Sequence, residues 1–233
     1  MRLPRFGQPF EYANILCLLD WSIMNQVRNY QKELDKKIVE LEKANLVPTL
    51  LIHSCCAPCS SYVLEYLSNY FHITVLYYNP NIYPPKEYAN RVAEQKKLIE
   101  QMPAKYSIDF IEGRYQPEEF YTIAKGLEHN KEGEERCFRC YRLRLEESAK
   151  YAKEAKFDYF TTTLSISPLK KADQLNDIGE ELASQYQLKY LSSDFKKKEG
   201  YKRSIQLSHE YDLYRQNYCG CVYSKISMEK ERT

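Results

Sequence analysis

Seven of the eight cysteines in this 233-residue chain fall in three tight groups: Cys55, Cys56 and Cys59; Cys137 and Cys140; Cys219 and Cys221. Only Cys17 stands alone, and it reads as a small apolar residue of an N-terminal helix. Thiols grouped in this way can hold a metal, exchange disulfides or relay electrons. Cys137-Phe-Arg-Cys140 lets both sulfurs reach one metal or each other. Cys219-Gly-Cys221 differs, because thiols one residue apart close only a small ring, with Gly220 supplying the backbone freedom. Such a bridge is strained and easily reduced, which suits electron relay better than stability.

Several chemistries stay open on residues alone. Zinc can take Cys56, Cys59, Cys137 and Cys140 as a structural site, which leaves Cys55, Cys219 and Cys221 idle. A thiol-exchange centre can use Cys56-Ala-Pro-Cys59, which engages only two. Incidental buried thiols are a third possibility. An iron–sulfur cluster with four thiolate ligands, beside a separate redox pair, uses more of the set.

The elements that must position these groups alternate between strand and helix. Residues 49–53 read as a short buried strand, 58–70 as a helix with Pro58 near its first turn, and 71–78 as a second strand. A proline-punctuated loop, 79–85, precedes a helix over 86–101 and a third strand over 106–111. Residues 117–127 read as helix, and 129–136 as a mobile polar loop. A charged helix follows over 138–156, then a strand over 157–163, a helix over 172–186, a short strand over 189–191 and a helix over 202–214. Alternation of this kind predicts right-handed crossovers and a mostly parallel sheet. The first cysteine group then sits where a strand ends and a helix begins, the usual ligand site of an open α/β sheet. Helix N-terminal N–H groups there favour thiolates. Residues 1–46 read as a helical extension, amphipathic from 21 to 46, before a single catalytic domain over 47–233.

Composition removes other classes. Lys and Arg total 34 and Asp and Glu total 32, so the net charge of +2 excludes a globally polybasic chain. No apolar run approaches the roughly 20 residues of a membrane span. The N-terminal residues lack a hydrophobic signal core, so a reducing cytoplasm is expected, where clustered thiols mean metal or redox work. Seven glycines form no G-x-G-x-x-G or Walker loop, so a nucleotide cofactor and ATP use are not expected.

Several motifs in order resemble one family. His53-x-Cys-Cys-Ala-Pro-Cys59, Cys137-x-Arg-Cys-Tyr141 and Tyr214-Arg-Gln-Asn-Tyr-Cys-Gly-Cys221 resemble the cobalamin-independent epoxyqueuosine reductases of the QueH family. Thr161-Thr-Thr-Leu-Ser-Ile-Ser-Pro168 and Asp194-Phe-Lys-Lys-Lys are similar to it too, so the match spans about residues 50–224. The resemblance implies a Rossmann-like fold of the adenine-nucleotide-hydrolase type. It implies two-electron deoxygenation of epoxyqueuosine to queuosine at the wobble position of a tRNA anticodon, fed by an unidentified electron donor. It implies a 4Fe–4S cluster held by Cys55, Cys56, Cys137 and Cys140, and an additional iron or other divalent metal ion with Cys59 and Asp194 as ligands. Cys219 and Cys221 carry over as a redox-active catalytic pair, and Asp194 alternatively as a proton donor to the leaving oxygen.

A tRNA partner needs cationic surface. Two stretches offer it: five basic residues within 196–203 and seven within 136–156. Among 22 tyrosines, Tyr141, Tyr201 and Tyr218 neighbour the motifs and are candidates for stacking on a splayed base. His53 reads either as a residue orienting the site or as a satisfied core histidine.

Overall fold

The computed structural model describes residues 28–230. Cys17, and the part of the amphipathic N-terminal segment before residue 28, lie outside them.

The first described helix, α1 (Tyr30–Lys43), opens with the Asn29 side chain accepting from the Lys32 N–H at 3.1 Å. Leu34, Ile38 and Leu41 recur at helical spacing and are buried. The chain then alternates: β1 (Thr49–His53), α2 (Ala57–Leu67), β2 (His72–Tyr77), α3 (Pro85–Gln101) and β3 (Ile108–Glu112). It continues with α4 (Pro117–Ala124), α5 (Glu135–Glu154), β4 (Tyr159–Thr162), a 3₁₀ turn (Thr163–Ile166), α6 (Ala172–Tyr186), α7 (Gly200–Glu210) and α8 (Val222–Lys230).

The four strands form one sheet in the order β3-β2-β1-β4, and every pairing is parallel. Helices cover both faces, so β1 is a continuous apolar run rather than an alternating one. Leu50 and Ile52 face one side, packing with Leu34 and Ile38 of α1, Val63 and Leu64 of α2 and Leu98 of α3. Leu51 faces the other, packing with Leu145 and Ala149 of α5 and Leu175 and Leu182 of α6. The fold is thus a three-layer, Rossmann-like α/β sandwich. Among the described residues, no helix is long and apolar enough to cross a membrane.

Boundaries moved where a tertiary contact outweighs local pattern. The expected strand over 189–191 shrinks to a single bridge, Phe160 to Tyr190, at the β4 edge. The charged helix starts earlier than its polar N-terminus suggests, so Cys137 lies inside α5 rather than before it. The preceding loop is folded against the body: buried Arg136 donates to the carbonyls of Leu127 and Glu128, both at 3.0 Å, and to that of Asn130. α7 begins at Gly200, where no other residue fits because a Cβ would lie 2.0 Å from the Phe195 carbonyl oxygen.

Leu34 ties α1 into the same core as β1. Leu34→Ala is expected to lower stability by about 2–5 kcal/mol, as a large-to-small core change does. A shifted midpoint in chemical denaturation, with unchanged slope, checks this.

Candidate active site

Three helix N-termini bring the cysteine groups together. At the end of β1 the chain turns through Ser54 and Cys55, and Cys56 is the extended N-cap of α2. Pro58 in the first turn suits a position whose N–H has no helical acceptor. The sulfurs of Cys55, Cys56 and Cys59 lie within 4.8 Å of one another, with Cys55 and Cys56 at 3.7 Å. Cys137 and Cys140 occupy the first turns of α5, and the Gly133 N–H donates to the Cys137 sulfur at 3.3 Å. Cys221 immediately precedes α8, where the Ser224 N–H donates to its sulfur at 3.4 Å. All seven described cysteines are free thiols. Each group therefore meets the positive end of a helix, which favours thiolates.

Charge completes the setting. Arg144 is 1% exposed; it donates to the Cys140 carbonyl and to Asn79 Oδ1, both at 3.3 Å, and its Nη2 is buried without a partner among the described residues. Lys170, also buried, donates from Nζ to the Cys219 sulfur at 3.5 Å. Cys55 is held well below the usual thiol range, by hydrogen bonds from the Cys56 and Cys59 thiols and by the charges of Arg144 and Lys170. Cys56 and Cys59 are pushed up, first by their contact with Cys55 and then by burial. Burial raises Cys140 to about 11. One thiolate beside two thiols is what close packing allows without a cation. Ionising all three requires a positive centre among them.

A cavity of about 800 Å³ opens beside these groups. Cys55, Pro58 and Cys59 line it from the end of β1, and Leu164, Ile166, Ser167 and Pro168 from the end of β4. β1 and β4 flank the point where strand order reverses, which is where open α/β sheets bind ligands. Cys219, Lys170, Arg144, Arg136, Arg215 and Lys131 also line it, with Glu132 as its one carboxylate among the described residues.

The family model for "Epoxyqueuosine reductase QueH" matches residues 50–227. The chain belongs to the QueH family. It is 43% identical to the epoxyqueuosine reductase QueH of Streptococcus pyogenes serotype M1 over 202 residues, covering 86% of this chain and 79% of the relative. It is 43% identical to that of Staphylococcus epidermidis, covering 87% of each chain. With that of Thermotoga maritima it shares 34% identity, over 78% of this chain and 93% of the relative.

Against the residues expected from sequence, the QueH fold sorts the site unevenly. It places Cys59 with Cys55 and Cys56 in one three-thiol group. Cys137 and Cys140 come from α5, and Cys140 packs with Cys221 in one apolar cluster with Phe120 and Ala124. Asp194 stands outside the cavity lining, with its Oδ1 2.9 Å from Lys196 Nζ. His53 is a core histidine between Thr162 Oγ1 and the Tyr78 carbonyl, held neutral by burial and Arg144, its pKa lowered to about 3. Tyr201 and Tyr218 line the cavity; Tyr141 is buried in the core instead.

The two basic stretches are not open cationic faces. In 196–203, Lys196, Lys198, Lys202 and Arg203 all pair with carboxylates, leaving Lys197. On α5, Arg139, Arg142 and Lys150 pair with Glu135, Glu181 and Glu146, while Arg136 and Arg144 turn inward. Sequence reasoning missed Lys170, Glu132 and Arg91 altogether. Nothing local marks them, because Arg91 acts across 128 positions.

Arg91 fixes the Cys219-Gly-Cys221 turn. It is 1% exposed, pairs with Glu87 at 2.7 Å, donates to the Cys219 carbonyl at 3.2 Å, and lies over the Tyr218 ring. Gly220 has φ +123, and a Cβ there would meet Arg91 Nη1 at 3.0 Å. Arg91→Met leaves the buried Glu87 without its counter-charge, with only the Tyr214 hydroxyl donating to it among the described residues, and is expected to cost about 3–5 kcal/mol. Adding Glu87→Gln should recover part of that loss in the same denaturation measurement.

Proposed function

We propose that this protein is a tRNA-modifying iron–sulfur reductase that converts epoxyqueuosine to queuosine in the anticodon. The observation that carries the reading is the set of free thiols at three helix N-termini, with Cys55, Cys59 and Cys219 lining one cavity at the switch point of the sheet. The family's name supplies the substrate.

The donor set fits a 4Fe–4S cluster. Such a cluster needs four thiolates, and Cys55, Cys56, Cys137 and Cys140 offer them with helix N-termini behind them. The unpartnered Arg144 Nη2, beside Cys140, suits an anionic centre. Cys59 and Asp194 are offered to an additional iron or other divalent ion. When bound, these centres supply one-electron transfer and Lewis acidity toward the epoxide oxygen.

The chain's own residues do the rest. Cys219 and Cys221 form a redox pair held in place by Arg91. The cavity volume falls within the range of small-molecule sites, so one splayed nucleoside is the part of a tRNA it takes. Lys131 and Arg215 stand exposed on the lining with no acidic partner among the described residues, placed for flanking phosphates. Tyr201, 38% exposed at the same lining, offers a ring for stacking.

The close packing of Cys55, Cys56 and Cys59 also favours a second reading, a single thiolate-bound zinc in an RNA-binding module. Metal analysis separates the two. Anaerobically purified protein is expected to hold about four or five irons with sulfide and a broad visible band. It should then deoxygenate an epoxyqueuosine-containing tRNA with a chemical reductant. One zinc without sulfide, and no turnover, would sink the reductase reading. Cys219→Ser and Cys221→Ser should each abolish turnover with a physiological reductant while retaining the visible band.

Lys131→Ala and Arg215→Ala should each weaken tRNA binding and reduce the slope of log K against log salt by about one. Replacing Lys196–Lys198 with Ala should change that slope less, because two of the three are paired. Fluorescence anisotropy across a salt series reads both.

A further inference from the structure

Deoxygenation of an epoxide needs protons as well as electrons, and the structure places one proton carrier that the thiol chemistry leaves unused. Lys170 lines the cavity, yet its side chain is only 7% exposed. Its Nζ is 3.5 Å from the Cys219 sulfur and 3.8 Å from Glu132. Glu132 accepts from Ser224 Oγ at 3.3 Å, and that hydroxyl accepts from the Cys219 N–H at 3.0 Å. Lys170, Cys219, Ser224 and Glu132 therefore close a ring of polar contacts at the cavity wall. The backbone of Lys170 is fixed as well. Its N–H donates to the Ser167 carbonyl at 3.1 Å, and its own carbonyl accepts from Lys196 Nζ at 3.3 Å. Asp194 pairs with that Lys196 at 2.9 Å, and so also braces the segment that carries Lys170.

We propose that Lys170 is a catalytic residue that donates a proton to the departing epoxide oxygen; this rests on the reductase reading above. The competing groups on the cavity lining are worse placed. Arg136 and Arg144 do not release protons in proteins. The Tyr218 hydroxyl is engaged with the Tyr83 carbonyl at 2.7 Å. An alkoxide is far more basic than an amine, so transfer from an ammonium runs downhill. The same charge stabilises the oxygen as it becomes negative.

The step balances. Both C–O bonds of the epoxide break, a C=C bond forms, and the oxygen leaves as water. The two electrons come from the thiols of Cys219 and Cys221, which close to a disulfide, and the two thiol protons end on the oxygen. One of them passes through Lys170: the ammonium protonates the oxygen and is restored by the neighbouring Cys219 thiol. Glu132 keeps the ammonium oriented between sulfur and cavity.

The test uses Lys170→Arg and Lys170→Met in the cluster-loaded protein. With the Cys219–Cys221 pair oxidised beforehand and no reductant present, binding of anticodon hairpins carrying epoxyqueuosine, queuosine or guanosine is measured. The wild type is expected to bind the epoxide about 10-fold more tightly than the alkene, through one charge-assisted hydrogen bond to its oxygen. Lys170→Arg should keep that preference and Lys170→Met should lose it. With reductant, Lys170→Arg should keep KM within about threefold while kcat falls about 100-fold or more, as loss of a general acid does. Iron content and thermal midpoint report whether each variant is intact. If Lys170→Met does not fold, Lys170→Arg alone decides. Wild-type kcat in Lys170→Arg, or an epoxide preference that survives in Lys170→Met, would overturn the role of Lys170 and leave the reductase reading standing. A wild-type protein that neither distinguishes epoxyqueuosine from guanosine nor turns it over would overturn both.

Discussion

Three thiols within 4.8 Å of one another repel as soon as a second one ionises, and the rest of this structure answers that repulsion. Water screens it only from the cavity side, because Cys55 and Cys56 are buried and Cys59 is half-buried. The positive charge comes from two sources. Helices α2, α5 and α8 each point an N-terminus at a cysteine group. Arg144 and Lys170 add full charges from within the wall. Burying those cations without carboxylate partners is costly in an ordinary core. Among the described residues Arg144 has none, and Lys170 has only Glu132 at 3.8 Å, which makes sense where anionic sulfur is the intended partner.

The same constraint explains how the chain spends its basic residues. Net charge is nearly zero, and many surface cations are matched by carboxylates on neighbouring turns. Exposed pairs of this kind add little stability. Arg144 and Lys170 stand instead in the cavity wall, where low dielectric strengthens their charge.

The sheet supplies the geometry. A parallel sheet in the order 3-2-1-4 leaves a crevice beyond β1 and β4, and most proteins with this layout fill it with a glycine-rich phosphate loop. In this chain the turn after β1 carries Cys55 and Cys56 instead, so helix N-termini that elsewhere bind phosphate serve sulfur. Arg91 extends the arrangement by reaching from α3 to the carbonyl of Cys219, joining the C-terminal segment to the sheet.

Much of this was legible in the sequence. Apolar runs at 50–52 and 73–77, separated by helical periodicity, determine a parallel α/β sheet, because only strands covered on both faces are apolar throughout. Cysteine spacing and the prolines and glycines around it place thiols at turns. Periodicity, however, reports only which side of an element is buried, not what lies opposite. That is why basic residues within one stretch divided, Arg136 and Arg144 turning inward while Arg139 and Arg142 found carboxylates outside. It is also why Asp194 pairs with Lys196 outside the cavity lining, whereas Lys170, which no motif marks, stands against Cys219. Local sequence determined the elements and the thiol groups; tertiary packing alone decided which charges face them, because those contacts join residues scores of positions apart.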